Sequence, residues 1–186
     1  MKYLLTYIFI SVLFLGCKQT PEEIISNIIK EMGENPIDDK CYGDCDNGLG
    51  GKFKNGSTYI GEWKEGTANG RGSMSFPNGD KYEGEWVDGK MQGEAIVTYG
   101  NGDKYEGYFF ANRKMRFGRL HFATGDKYEG EFVLDEKHGH GTFTFANGDK
   151  YEGEYRHDMF DGQGTYTYAN GSIAYSGLWI NGNPAN

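Results

Sequence analysis

Two glutamates one residue apart, Glu83 and Glu85, have the spacing of a general acid and its base, and equivalents recur along the chain. Such a pair works only when unlike surroundings push its two pKa values apart. Here the pair is copied into equivalent settings, each opened by a lysine at Lys81, Lys104, Lys127 or Lys150. Carboxylates repeated in this way solubilise a face and pair with lysines across strands. His138 and His140 flank one glycine, with His121 and His157 in neighbouring copies. They lack the cysteine or firm carboxylate that a held metal ion needs, so neither metal nor cofactor is expected. No Ser-His-Asp, Cys-His or phosphate-loop arrangement occurs, and the Gly-x-Gly pairs read as strand glycines. The chain reads as non-catalytic.

Two other groups of residues carry chemistry of a different kind. Cys41 and Cys45 bracket Tyr-Gly-Asp, where Gly43 and Asp44 permit the tight turn a disulfide requires. A Cys41–Cys45 bridge is the preferred reading, over half of a metal site whose other ligands would come from far away. The second group is basic: Arg113, Lys114 and Arg116, followed by Arg119, with Tyr108 standing where other copies have glutamate. Arg116 replaces the glycine found at that position in the other copies, and Phe117 follows it. This is the only basic cluster in an acidic chain. Two readings stand: a divergent loop of the kind any solenoid tolerates, or a docking point for an anionic partner, either an acidic protein segment or a phosphate-bearing headgroup.

The elements that position these residues come from a repeat. Tyr-x-Gly-x-aromatic recurs every 23 residues as Tyr59/Trp63, Tyr82/Trp86, Tyr105/Phe109, Tyr128/Phe132 and Tyr151/Tyr155, and Tyr175/Trp179 follows after one extra residue. A fixed period in the twenties signals one small unit stacked many times. Alternation puts Tyr82, Gly84 and Trp86 on one face and Lys81, Glu83 and Glu85 on the other. The next strand puts Ala95, Val97 and Tyr99 together, so each repeat is two strands with an aromatic and glycine face. A ring can lie flat over the bare backbone of a facing glycine, which lets a single sheet cover its own apolar face. Register follows from parity, because a one-residue slip turns every side chain over. Joining Phe76 to Tyr82 requires an odd loop, which excludes a two-residue Asn78-Gly79 turn and predicts three residues with Gly79 left-handed. Between Trp86 and Gly93 the loop must be even, and residues 87–92 supply six. Gly89 and its equivalents, Asn112, Asp135 and Asp158 among them, are types that tolerate positive φ.

The start of the chain differs in kind. Lys2 precedes a nearly unbroken apolar stretch, Tyr3 to Leu15, too short to span a bilayer comfortably, and Gly16-Cys17 closes it. Thr20-Pro21-Glu22-Glu23 opens a helix over 21–32, with Ile24, Ile25, Ile28, Ile29 and Met32 on one stripe. That helix either caps the first strands or lies on a membrane. The chain has 186 residues, 16% of them aromatic, 30 glycines and a formal charge of −8. This balance argues against nucleic-acid binding.

The 23-residue pattern of Tyr-x-Gly-x-Trp, Gly-x-Gly, aromatic and Asn-Gly resembles the MORN repeat family over about residues 46–182. The resemblance implies an all-β, elongated, single-layer antiparallel meander of about twelve strands, spaced about 4.8 Å apart, with a short N-terminal helix. It implies scaffolding between proteins, phospholipid contact, and no chemistry. Phe14-Leu15-Gly16-Cys17 resembles a bacterial lipoprotein signal, in which Cys17 is acylated, and Lys18 after it leans toward an outer membrane. The expected organisation is a signal peptide at 1–16, a lipid-anchored linker at 17–40 and a repeat domain at 41–186. That domain comprises a half-repeat at 46–58, five full repeats at 59–174 and a terminal strand at 175–179. The expected function is a lipid-anchored interaction scaffold of the cell envelope with a protein partner. The alternative is a glycan- or peptidoglycan-binding module that stacks sugars on exposed rings such as Trp63, Trp86, Phe109, Phe132 and Tyr155.

Overall fold

The structure, a computed structural model, describes residues 19–33 and 39–185. The expected signal segment, Cys17 and residues 34–38 of the linker lie outside the described residues. Fourteen strands follow one another in the sheet in chain order, as an antiparallel meander preceded by one helix. The chain divides into two compact units, the first ending at Lys90.

The first unit holds α1 (Pro21–Met32), β1 (Cys41–Gly43), β2 (Leu49–Lys54), β3 (Ser57–Lys64), β4 (Thr67–Ser75) and β5 (Lys81–Val87). The helix starts where its capping box places it. Glu23 donates its N–H to Thr20 Oγ1 at 3.3 Å, and the Thr20 N–H donates to Glu23 Oε2 at 2.9 Å. Ile25, Ile28 and Met32 are buried, and Ile28 and Met32 form a small core with Tyr42, flanked by Ile24, Phe53 and Ile60. Tyr42 pairs with Gly51, and Gly51 with Ile60, so α1 covers the face opposite Tyr59, Gly61 and Trp63. A Cβ on Gly51 would meet Ile28 Cγ2 at 2.6 Å, so the helix needs bare backbone beneath it. With its stripe turned onto the sheet, α1 acts as a cap. No helix among the described residues is long and apolar enough to cross a membrane.

The second unit holds β6 (Lys90–Thr98, from Met91 on), β7 (Lys104–Phe110), β8 (Arg113–His121), β9 (Lys127–Val133), β10 (Glu136–Thr144), β11 (Lys150–Arg156), β12 (Met159–Thr167), β13 (Ile173–Ile180) and β14 (Asn183–Pro184). The short β1 and β14 take the count past the expected twelve, and the last long strand extends beyond 175–179 at both ends.

Two kinds of turn alternate. Phe76 donates its N–H to the Asp80 carbonyl at 2.9 Å, and Gly79, at φ 89°, donates to Phe76 at 3.0 Å. Pro77-Asn78-Gly79 is therefore a three-residue loop, as parity demands, and it recurs after Tyr99, Phe122, Phe145 and Tyr168. The other connection differs from the expected six-residue loop. Val133 pairs with Glu136 across a two-residue turn, Leu134-Asp135, at φ 53° and 78°. Such turns match the right-handed twist of the strands they join. The remaining residues are absorbed by a bulge: Phe132 pairs with Lys137 and Gly130 with Gly141, leaving 138–140 opposite Glu131 alone. The total stays even, so the faces hold.

The sheet's own core is a run of tyrosines seated on glycines. A Cβ at Gly130 or Gly141 would meet the Tyr128 hydroxyl oxygen at 2.5 Å, and Tyr59, Tyr105 and Tyr151 seat in the same way. Each ring donates its hydroxyl hydrogen to the carbonyl three residues on: Tyr82 to Glu85 at 2.8 Å, Tyr128 to Glu131 at 2.9 Å, Tyr151 to Glu154 at 2.9 Å. Edges meet faces between repeats, with Tyr59 5.3 Å from Trp86 and Tyr128 5.1 Å from Tyr155. These geometries suit the ring quadrupole.

Candidate interaction surface

The same packing decides what the aromatic residues can do. Tyr59, Tyr82, Trp86, Tyr105, Phe109, Tyr128, Phe132, Tyr151, Tyr155 and Trp179 are buried, and Trp63 and Tyr175 are half-buried. The tyrosines lie on glycine on one side, and residues of the next strand cover the other. Phe160 stacks on Tyr151 at 3.7 Å, and the Lys114 ammonium lies 5.3 Å from the Tyr105 centroid. Trp86, Phe109, Phe132 and Tyr155, expected to be exposed, therefore offer no free face for a sugar. Burial also pushes the phenol pKa values of Tyr59, Tyr105, Tyr128 and Tyr155 well above the ordinary range, and that of Tyr151 up to about 12.

The basic residues do not form one cluster. Lys114 pairs with Phe109 and faces the rings of Tyr99, Tyr105 and Phe132, where burial depresses its pKa. Arg113 and Arg119 belong to the opposite face. Arg113 Nη1 lies 3.0 Å from Asp135 Oδ2, and Arg119 Nη2 3.0 Å from Glu129 Oε1. Arg116 is exposed, and its guanidinium carbon stands 4.2 Å from the Tyr108 ring centroid. Two of the four lysines expected to pair across strands pair along their own strand instead, Lys104 with Glu106 at 2.6 Å and Lys150 with Glu152 at 2.8 Å. Lys104 and Arg119 hold the Glu106 carboxyl below its usual range, chiefly through the Lys104 hydrogen bond.

Among these charges lie apolar side chains that the repeat pattern does not require. Phe110 is 56% exposed, Phe117 52% and Leu134 58%, and Val133, Met159 and Ile180 are exposed as well. Val87, Phe110, Val133 and Ile180 occupy the same position four times along the chain, one residue past the buried aromatic, and all are exposed. That signal is present in the sequence but is masked there by Lys64 and Arg156 at the same position.

Cys41 and Cys45 are joined by a disulfide with Cα atoms 6.0 Å apart, beside the turn that leads into β2. His157 Nδ1 lies 2.7 Å from Glu136 Oε2, and the His138 and His157 rings are 5.8 Å apart. Among the described residues no group of three or more His, Cys, Asp or Glu side chains is placed to hold a metal ion.

Hairpins of 23 residues, four of which seat a tyrosine on two facing glycines, define a β-repeat protein. The family model of the MORN repeat matches five times in succession, at residues 59–81, 82–104, 105–127, 128–150 and 151–173. The chain belongs to that family.

Among solved structures the chain is similar to the TCP domain of SAS-4 (dCPAP) from Drosophila melanogaster, determined in complex with a proline-rich motif of Ana2 (dSTIL). The two are 10% identical over 70% of this chain and 72% of that one, with a TM-score of 0.44. It is also similar to the TCP10 domain of Danio rerio CPAP, determined in complex with a peptide of Danio rerio STIL. Here identity is 14% over 72% of this chain and 65% of that one, with a TM-score of 0.34. Comparison with curated proteins gives no match.

Proposed function

We propose that this protein is a non-catalytic, lipid-anchored scaffold of the cell envelope that recruits a protein partner through its repeat sheet. MORN repeats make a binding framework, and the division of labour between the two faces supports that use here. One face buries its rings against glycine. The other keeps Phe110, Phe117, Val133 and Ile180 in solvent among paired charges. That second face is the observation that carries the reading, because apolar side chains recur there at one outward position of the repeat instead of being scattered singly. Nothing in the packing of the rings needs them.

The anchor rests on the resemblance of Phe14-Leu15-Gly16-Cys17 to a lipoprotein signal, and Lys18 after it favours an outer membrane. Residues 18–20 alone separate Cys17 from α1, so acylation would keep the helix start within about 15 Å of the bilayer surface. Metabolic labelling with a fatty-acid analogue tests the anchor. The wild type should carry label and sediment with membranes, and Cys17→Ser should lose both. Cross-linking on intact cells followed by mass spectrometry tests the scaffold. Recurrent protein partners are expected, and recovery of none would end the proposal.

A further inference from the structure

The third repeat departs from the others at two positions that touch. Elsewhere a glutamate faces a glycine at positive φ: Glu62 faces Gly70 (96°), Glu131 faces Gly139 (61°) and Glu154 faces Gly162 (116°). The carboxylate accepts the backbone N–H of the residue after that glycine, from Arg71 at 3.1 Å, His140 at 2.9 Å and Gln163 at 2.9 Å. A Cβ on Gly139 would meet the Glu131 carboxylate at 2.6 Å. A glutamate and a side chain at the glycine position therefore exclude each other. The third repeat has Tyr108 for the glutamate and Arg116, at φ 61°, for the glycine. The two exchanges are one event, because the arginine occupies space that the missing carboxylate vacates.

A non-glycine residue held at positive φ, where the other repeats use glycine, is strain that points to function. What it produces is a guanidinium laid over a tyrosine ring, a stacking that pre-orients its planar donors. Arg116 makes no ion pair with a described residue, whereas Arg113 and Arg119 are held by Asp135 and Glu129. Phe117 beside it and Phe110 on the neighbouring strand stand in solvent.

We propose that Arg116, Tyr108 and Phe117 form a docking site for a peptide segment of a partner protein in which a carboxylate is flanked by apolar side chains. The proposal rests on the scaffold reading above and specifies its partner's chemistry. Charge selects the occupant. Arg116 offers an unengaged, pre-oriented guanidinium on a chain whose formal charge is −8. Glu94, Glu106, Glu129 and Glu131 lie on the same face by register. They repel a broad anionic surface such as a bilayer, but leave room for one carboxylate led to Arg116 by apolar contacts.

The test is a fluorescence-polarisation titration of the full chain with a labelled peptide alternating Glu and Leu, beside its Gln/Leu counterpart. The Glu/Leu peptide should bind, and the Gln/Leu peptide about tenfold more weakly, the scale of one lost charge-assisted pair. Arg116→Gly should weaken the Glu/Leu peptide by about the same factor without lowering the thermal midpoint, since glycine suits that backbone. Arg116→Lys should weaken it too, because lysine cannot stack as a plane. The pair Tyr108→Glu and Arg116→Gly restores the pattern of the other repeats and should bind no better than the single Arg116→Gly variant. Equal affinity for both peptides, indifference to Arg116→Gly, or Arg116-dependent binding of phosphatidylglycerol vesicles in place of peptide would each overturn the site. If cross-linking recovers the same partners from the double variant, the site falls and the scaffold stands. If it recovers none from the wild type, the scaffold falls whatever the peptides do.

Discussion

Tyr128 and Tyr155 meet edge to face, yet their hydroxyls end differently. Tyr128 donates to the Glu131 carbonyl at 2.9 Å, whereas the Tyr155 hydroxyl is buried without a partner among the described residues. A buried hydroxyl left unpaired costs about 1–3 kcal/mol, whereas a made hydrogen bond contributes about 1 kcal/mol net. Two conservative changes should therefore move stability in opposite directions. Tyr155→Phe should raise the unfolding free energy by about 1 kcal/mol, and Tyr128→Phe should lower it by about the same amount. Urea titrations with unchanged m-values would check both. The position itself supports the first expectation, because Phe109 and Phe132 stand there in other repeats. A loss of stability in Tyr155→Phe would mean that its hydroxyl has a water or side-chain partner.

The turns show how far local sequence reaches. The three-residue loop at Pro77-Asn78-Gly79 was legible because parity and a left-handed glycine agreed on one solution. The two-residue turns were not, because their first residues include Ala111, Leu134 and His157, none of which announces positive φ. Nor does a bulge leave a compositional trace: residues 138–140 look like loop and are accommodated inside a strand. The faces, the tyrosine seats and the helix start were readable from spacing alone, since each depends on neighbours a few residues away or one repeat on. The state of the basic residues was not readable. Arg113 and Arg119 find their carboxylates 22 and 10 residues away, in the turn after β9 and on β9 itself, and only register reveals that Arg116 has no ion pair among the described residues. The turn at Leu134 also gives a prediction. A branched side chain in the left-handed region costs about 1–2 kcal/mol, and asparagine tolerates that region far better. Leu134 is mostly exposed, so Leu134→Asn should stabilise the protein by about 0.5–1 kcal/mol. A shift of the denaturation midpoint to higher urea would show it, and a shift to lower urea would mean that Leu134 packs more than its exposure suggests.

At the scale of the whole molecule, the tyrosines set the alkaline limit of the fold. The chain has 14 tyrosines, and burial raises the pKa of Tyr59, Tyr105, Tyr128, Tyr151 and Tyr155, that of Tyr151 to about 12. A phenol is neutral when protonated, so a raised folded-state pKa means that the native stack favours the protonated ring. The associated stability is fully present below the unfolded value of about 10. It is lost progressively as pH rises from there through the folded values. Ionising Tyr59, Tyr105, Tyr128 or Tyr151 while it sits on glycine would place a phenolate against bare backbone, with its oxygen no longer able to donate to the carbonyl three residues on. The stack should therefore resist deprotonation until it opens, and the opened chain should then ionise together. Tyrosinate absorbance and far-ultraviolet circular dichroism, followed over the same alkaline titration, should separate two phases. In the first, solvent-facing phenols ionise with the strand signal intact. In the second, above about pH 10, further absorbance rises in step with loss of the strand signal. A single ionisation phase with the strand signal unchanged would mean that the rings reach solvent, and the glycine-seated core would have to be abandoned.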